Sequence, residues 1–244
     1  MNNLRIWLQQ AEFDIRCEWG EKGVAALAPL TDAVIFVDVI SFSTAVTIAT
    51  SRGAMVYPFK GTAEESLEFA RSVNAELADK RRRGKSSLSP ASLMALPRGA
   101  RLVLPSPNGS ALSLSTGDTP TFAGCLRSAK AVAVAASLCG PRIAVIPCGE
   151  RWWEDISLRP AFEDWIGAGA IISHLGGTLS PEAGAALAAF RSSEDALLTR
   201  LKQCSSGKEL ISKGFEADIE LIGQLDVENV AGRLVDGVYG QAEM

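Results

Sequence analysis

Apolar residues along this chain recur in short β-branched runs, each followed by a polar loop and then by a stretch with helical spacing. Residues 33–37 (Ala-Val-Ile-Phe-Val) form the clearest run, and a continuous apolar segment of that length predicts a buried strand. It stops at Asp38. Ser41, Ser43 and Thr44 then offer hydroxyls where a helix would begin, and the helix is expected through 46–50 until Gly53 ends it. The same strand–loop–helix unit returns at 101–114, with Pro105 to Ser110 as its loop. It returns again at 142–175, where Cys148-Gly149-Glu150 follows the strand and Glu163 and Asp164 sit in the first turn of the helix.

Between these units the pattern predicts a helix over 20–28 closed by Pro29, a short strand at 55–59, and a helix over 62–80. Thr62 and Glu65 stand at capping-box spacing at the start of that last helix. A strand at 121–123 and a small-residue helix over 128–138 complete the alternating part. Weak alternation at 3–8 suggests an edge strand, and 81–97 reads as a long loop, a candidate flap, with one helical turn near 90–96. Helices follow at 181–191, 193–203, 205–214 and 217–225, and 226–230 suggests a last edge strand. The expected fold is therefore α/β: three layers, α/β/α, with a mostly parallel or mixed sheet and a helix-rich C-terminal third. The 244 residues suit a single α/β domain, or alternatively two lobes with a boundary near 115–140.

In a mostly parallel sheet the three loops would share one rim, where open α/β sheets place their ligands. A strand ending in Asp38 before a hydroxyl-rich helix start suits an anion, because helix N-termini present free N–H groups and positive partial charge. Pro107-Asn108-Gly109 is either an ordinary turn or a nest of amides for an anion. Glu163 and Asp164 are either functional or complements to the helix dipole.

Composition narrows the chemistry. Net charge is −4 with a pI near 5.2, so nothing global points to nucleic acid or an anionic membrane. The basic cluster Lys80-Arg81-Arg82-Arg83 with Lys85 reads as a solvated loop that could also help hold an anionic substrate. The first 20 residues carry charges throughout with no apolar segment of signal-peptide length, and no apolar stretch reaches the roughly 18 residues of a membrane span. Five scattered cysteines without a CxxC point to reduced thiols in a cytosolic protein. With one histidine, His174, expected as a packed or helix-terminal ring, a His-rich metal centre is ruled out and no GxSxG elbow supports a serine triad. Cys148 has no histidine partner and reads as a structural thiol. Carboxylates without histidine or paired cysteine suit a hard cation, Mg²⁺ before Zn²⁺, while amide-rich loops suit a phosphate. No GxxxxGK[ST] and no GxGxxG is present, which disfavours nucleotide and dinucleotide sites of those kinds.

These residues resemble a known family. Val37-Asp38-Val39-Ile40-Ser41-Phe42-Ser43-Thr44 is similar to the DVLRxST segment of the 2-phosphosulfolactate phosphatases, magnesium-dependent enzymes of coenzyme M biosynthesis. Ser106-Pro107-Asn108-Gly109-Ser110 resembles their TTNGT loop, Cys148-Gly149-Glu150 their CAG segment, and Phe162-Glu163-Asp164 with Gly167-Ala168-Gly169 their LED…AG helix. Ser206 to Gly214 and Asp218-Ile219 fit the closing pattern. The resemblance implies an α/β/α fold and hydrolysis, in the cytoplasm, of a small anionic phosphate monoester such as 2-phosphosulfolactate, giving the hydroxy acid and phosphate. It makes Asp38, Glu163 and Asp164 the expected catalytic and Mg²⁺-binding residues, with Glu150 added to the metal set by its loop. Ser43, Thr44, Asn108, Gly109 and Ser110 become the expected phosphate cradle. Asp38 is either nucleophile or metal ligand. The family's arginine is Ser41 here and its GNSP loop reads Ser87-Leu88-Ser89-Pro90. The alternative is thus a catalytically degenerate relative that binds a small anion or a protein partner. Arg127, Arg151 or the 80–85 cluster are the candidates to replace the lost arginine. A homo-oligomer is expected from Trp152, Trp153 and Trp165, unless these rings belong to the core.

Overall fold

The computed structural model describes residues 6–79 and 86–242. The basic cluster at 80–85 and part of the alternation at 3–8 lie outside the described residues. In chain order the strands are β1 (Ile15–Cys17), β2 (Ala33–Val37), β3 (Met55–Phe59), β4 (Glu76–Leu77), β5 (Arg101–Pro105), β6 (Thr121–Gly124), β7 (Ile143–Pro147), β8 (Glu150–Arg151), β9 (Leu158–Arg159), β10 (Gly232–Val235) and β11 (Val238–Gln241). The helices are α1 (Gly20–Leu27), α2 (Phe42–Ser51), α3 (Ala63–Ser72), α4 (Pro90–Leu93), α5 (Gly109–Ser113), α6 (Ala129–Ser137), α7 (Phe162–Ile172), α8 (Pro181–Arg191), α9 (Leu197–Gln203), α10 (Ser205–Ser212) and α11 (Glu216–Ile222). This is the expected three-layer α/β/α arrangement. Its core is a nine-stranded sheet in the order β1-β7-β2-β6-β10-β11-β3-β5-β4, to which strands from both sides of 115–140 contribute.

Strand β2 shows how the layers are specified. All five residues are buried, and successive side chains point to opposite faces. Ala33, Ile35 and Val37 pack with α6, α7 and the C-terminal helices, while Val34 and Phe36 pack with α1 and Leu112 of α5. A strand covered on both sides has no polar face to show, which explains its unbroken apolar run.

The sheet differs from expectation at its centre. β10 pairs antiparallel with β6, and β11 pairs antiparallel with both β10 and β3. The parallel group β1-β7-β2-β6 therefore runs opposite to the parallel group β3-β5-β4. Residues 226–230 form no strand; the hairpin lies at 232–241 and fills the middle of the sheet, not its edge. Asp236 and Gly237 both have positive φ, 49° and 78°, the backbone of a tight hairpin turn whose twist matches that of its strands. The loops after β2 and β5 meet although the two strands run in opposite senses: the Gly109 N–H reaches the Asp38 carboxyl.

Local corrections have local causes. The capping box at Thr62 and Glu65 is present, with bonds of 3.2 and 2.7 Å. The helix nevertheless stops at Ser72, because Asn74 turns left-handed (φ 49°) and frees Glu76 and Leu77 to pair with β5. Ile6–Gln9 is a turn of 3-10 helix, not strand. The fully buried strand β1 and the β8–β9 ribbon have no counterpart in the expected elements. Helix α10 is capped by Cys204, whose sulfur accepts the Gly207 N–H at 3.3 Å. All five cysteines are unpaired, and His174 sits 2.9 Å from Asp226 at the end of α7. Among the described residues no helix is long and apolar enough to cross a membrane.

Candidate active site

Asp38 leaves β2 and is 6% exposed. Its Oδ1 accepts the Phe42 N–H at 3.1 Å and its Oδ2 accepts the Gly109 N–H at 3.2 Å, so one carboxyl ties the start of α2 to the start of α5. That approach requires glycine: a Cβ on Gly109 would lie 2.3 Å from the Phe42 ring. Asn108, next in the same loop, donates from Nδ2 to Glu150 Oε2 at 3.1 Å. Its Oδ1 is buried with no hydrogen-bond partner. A buried acceptor without a donor is costly, and it marks where a ligand atom, water or cation belongs.

Asp38, Asn108 and Glu150 line one cleft of about 370 Å³, closed on its other side by Leu88, Ser206, Glu209 and Lys213. Burial, and next the Glu150 charge, push the Asp38 carboxyl up to about 7. Burial and the nearby Glu163 charge raise Glu150, against the pull of its hydrogen bond from Asn108. Glu150 thus makes Asp38 harder to ionise, and Glu163 does the same to Glu150, a burden that a bound cation would remove.

The remaining expected residues are distributed differently. Asp164 is 3% exposed and points inward; its two oxygens accept the Val39 and Gly149 N–H groups, both at 2.8 Å. It braces the loops that carry Asp38 and Glu150 and does not line the cleft. Glu163 faces a neighbouring pocket with Arg159, Arg200 and Cys204. There, burial and then the Glu163 charge push the Cys204 thiol up to about 12. The hydroxyls of the expected cradle turn onto backbone carbonyls: Ser43 donates to Phe36, Thr44 to Val39 and Ser110 to Leu104, at 3.1, 2.8 and 2.7 Å. Ser43 also accepts the Asp38 N–H at 3.1 Å. These side chains hold the loops in shape; only Asn108, of that set, presents a side chain to the cleft.

Replacement cations also move. Arg127 is buried far from the cleft, bonded to the Leu221 carbonyl and to Gln224 and Glu228. Arg151 lines an adjoining hollow. Among the described residues the cation in the cleft wall is Lys213, paired with Glu209 at 2.5 Å; both lie in the 206–214 segment that fits the family's closing pattern, but that pattern does not say where they point. Trp165 stacks on Trp19 at 5.2 Å within the fold, whereas Trp152 and Trp153 are exposed.

Among the described residues no three His, Cys, Asp or Glu side chains gather into a metal cage. The donors that do converge are Asp38, Glu150 and the unpartnered Asn108 Oδ1. All are oxygen, and Mg²⁺ commonly takes one or two protein carboxylates and completes its shell with water and substrate phosphate. The donor set fits that ion.

An α/β/α protein with an acidic cleft at its strand ends is the class that fold and site define. Residues 25–237 match the 2-phosphosulpholactate phosphatase family, and the chain belongs to that family. It is 30% identical over 191 residues to the 2-phosphosulfolactate phosphatase of Methanothermobacter thermautotrophicus, covering 76% of this chain and 79% of that one. It is 35% identical over 96 residues to a protein of Gloeobacter violaceus described as a probable 2-phosphosulfolactate phosphatase, covering 37% of this chain and 39% of the other.

Proposed function

We propose that the protein is a Mg²⁺-dependent phosphatase that hydrolyses a small anionic phosphate monoester, with 2-phosphosulfolactate as the reference substrate. The observation that carries this reading is the convergence of Asp38, Glu150 and the orphan Asn108 Oδ1 on one cleft. Family membership adds to it. Asp38 and Asn108 Oδ1 would hold Mg²⁺, which when bound supplies positive charge to offset the carboxylate and phosphoryl oxygens.

The chain's own residues do the rest. Glu150, oriented by Asn108 Nδ2, accepts a proton from the attacking water, a role its raised pKa favours. A water oxygen–phosphorus bond forms, the bond from phosphorus to the ester oxygen breaks, and the departing hydroxy acid takes up the proton that Glu150 received. Asp164 and the hydroxyls of Ser43, Thr44 and Ser110 keep the loops pre-organised.

The test is phosphate release from phosphosulfolactate and phospholactate, with Mg²⁺ and with EDTA, for the wild type and Asp38→Asn. Mg²⁺-dependent release that is lost in the variant supports the reading. No release by the folded wild type would leave the binding protein suggested by Ser41 as the better account.

A further inference from the structure

The cleft does not end at Glu150. A hollow of about 500 Å³ shares Glu150 and Glu209 with it and continues along the β8–β9 ribbon. Its wall carries Arg151, Trp152, Trp153 and Arg159. Trp152 is 49% exposed and Trp153 85%, two indoles held in water at the mouth of an acidic site. Two adjacent exposed indoles beside a polar cleft offer a face for a ligand group.

The ribbon holds these rings in a defined relation to the reaction cleft. Glu150 is in register with Arg159, so one short ladder carries the proton acceptor on one strand and a guanidinium on the other. Trp152 N–H donates to the Ser157 carbonyl, and Ile156 N–H to the Trp152 carbonyl, both at 3.0 Å. The Arg159 guanidinium lies 5.9 Å from the Trp152 ring centroid and donates to Ser206 Oγ at 3.3 Å. Polar character is therefore graded along the groove. Carboxylates and Asn108 occupy the inner end, where Ser41 lines the wall; indoles and arginines occupy the outer end. Of the acids shared by both compartments, Glu209 is neutralised by Lys213 and Glu150 faces Arg159.

A three-carbon acid phosphate held at Asp38 and Asn108 has no apolar group to set against the indoles. We propose that the preferred substrate is a phosphate monoester whose leaving group carries a planar ring with an anionic substituent, the ring lying on Trp152 and Trp153 and the anion meeting Arg159. The proposal rests on the phosphatase reading and names its substrate class. Water adds to phosphorus, the phosphorus–oxygen ester bond breaks, and the ring-bearing hydroxy acid leaves with a proton. Stacking on indole and pairing with a guanidinium are both strengthened where the groove sheds water.

Three esters with the same leaving oxygen test it: phospholactate, phospho-phenyllactate and its 4-carboxyphenyl analogue. The wild type is expected to favour the carboxyphenyl ester over phospholactate at least tenfold in kcat/KM, mainly through KM. That ratio should fall towards one in Trp153→Ala and in Arg159→Met. Equal or better turnover of phospholactate, or a ratio that neither variant changes, overturns the proposal. Failure of the phosphatase reading is seen separately, as no release from any ester. In that case tryptophan quenching by 4-carboxyphenyllactate, weakened at least tenfold in Arg159→Met, would still support the ring subsite. Absence of quenching would overturn it.

Discussion

Asp38 and Asp164 are built alike and placed differently. Each is almost fully buried, each accepts two backbone N–H groups, and burial is the first cause that raises each above the ordinary carboxylate range. Beyond Asp38 lies a cleft containing Asn108 and Glu150; beyond Asp164 lies protein. Amide contacts alone therefore do not mark a reacting group. They mark a carboxyl that ties loops together, and the cleft decides which of the two also meets a ligand.

The largest expected effect is on turnover. Asp38→Asn should lower kcat/KM by about 10²-fold or more, the usual scale for removing a charged group from a reacting centre, while the melting temperature changes by only a few degrees. Asp164→Ala should do the reverse in character. It leaves the Val39 and Gly149 N–H groups buried without acceptors, which costs about 1–3 kcal/mol each, so denaturant melts should show a large loss of stability. A stable Asp164→Ala protein with unchanged loops would break the comparison. Gly109→Ala comes next. Its methyl would press on the Phe42 ring and should cost about 1–3 kcal/mol, with part of the loss restored by the double change Gly109→Ala, Phe42→Leu.

What could be read from sequence follows the same division. The β2 run, the capping box at Thr62 and the strand–loop–helix units rest on local signals, and they are where the structure has them. Asp38 was legible because a polar residue ending a buried strand has few places to go, and Asn108 because its Pro-Asn-Gly turn links a buried strand to a helix. Glu163 and Asp164 are adjacent on one helix, and neighbours about 100° apart around an axis cannot share one target. Sequence marks the pair without saying that Asp164 goes to the loops and Glu163 to another pocket. Lys213 and Glu209 reach the cleft because α10 packs there, a tertiary fact with no local chemical signal. The β10–β11 hairpin is the instructive miss. Asp236-Gly237 between apolar pairs is a hairpin signal, but nothing local says that a C-terminal hairpin enters the middle of a sheet.

The smallest effect sharpens the comparison most. The folded-state pKa of Asp38 is raised to about 7 from the ordinary value of 3.8. A raised pKa means that the folded protein binds this proton more tightly than the unfolded chain does. The stability it contributes is complete below the unfolded value and is lost as pH rises through the folded one. In EDTA, stability should fall by about 1 kcal/mol between pH ~6 and pH ~7, read as roughly 2–4 °C in melting temperature for a chain of this size. Asp14 and Asp32, lowered chiefly by hydrogen bonds from Thr178 and Arg142, act in the opposite sense but below this window. Asp38→Asn should flatten the slope. Mg²⁺ should restore more stability above pH ~7 than below it, because the cation competes with the proton for the same carboxyl. Asp164 is also raised, but its oxygens face amides, so Mg²⁺ has no access to its share of the slope. A residual pH dependence that survives both Mg²⁺ and Asp38→Asn is expected from the inward carboxyl together with Glu150, which burial also raises, and Glu150→Gln in the same background leaves the share of Asp164. Its absence would mean that the two aspartates titrate as one site.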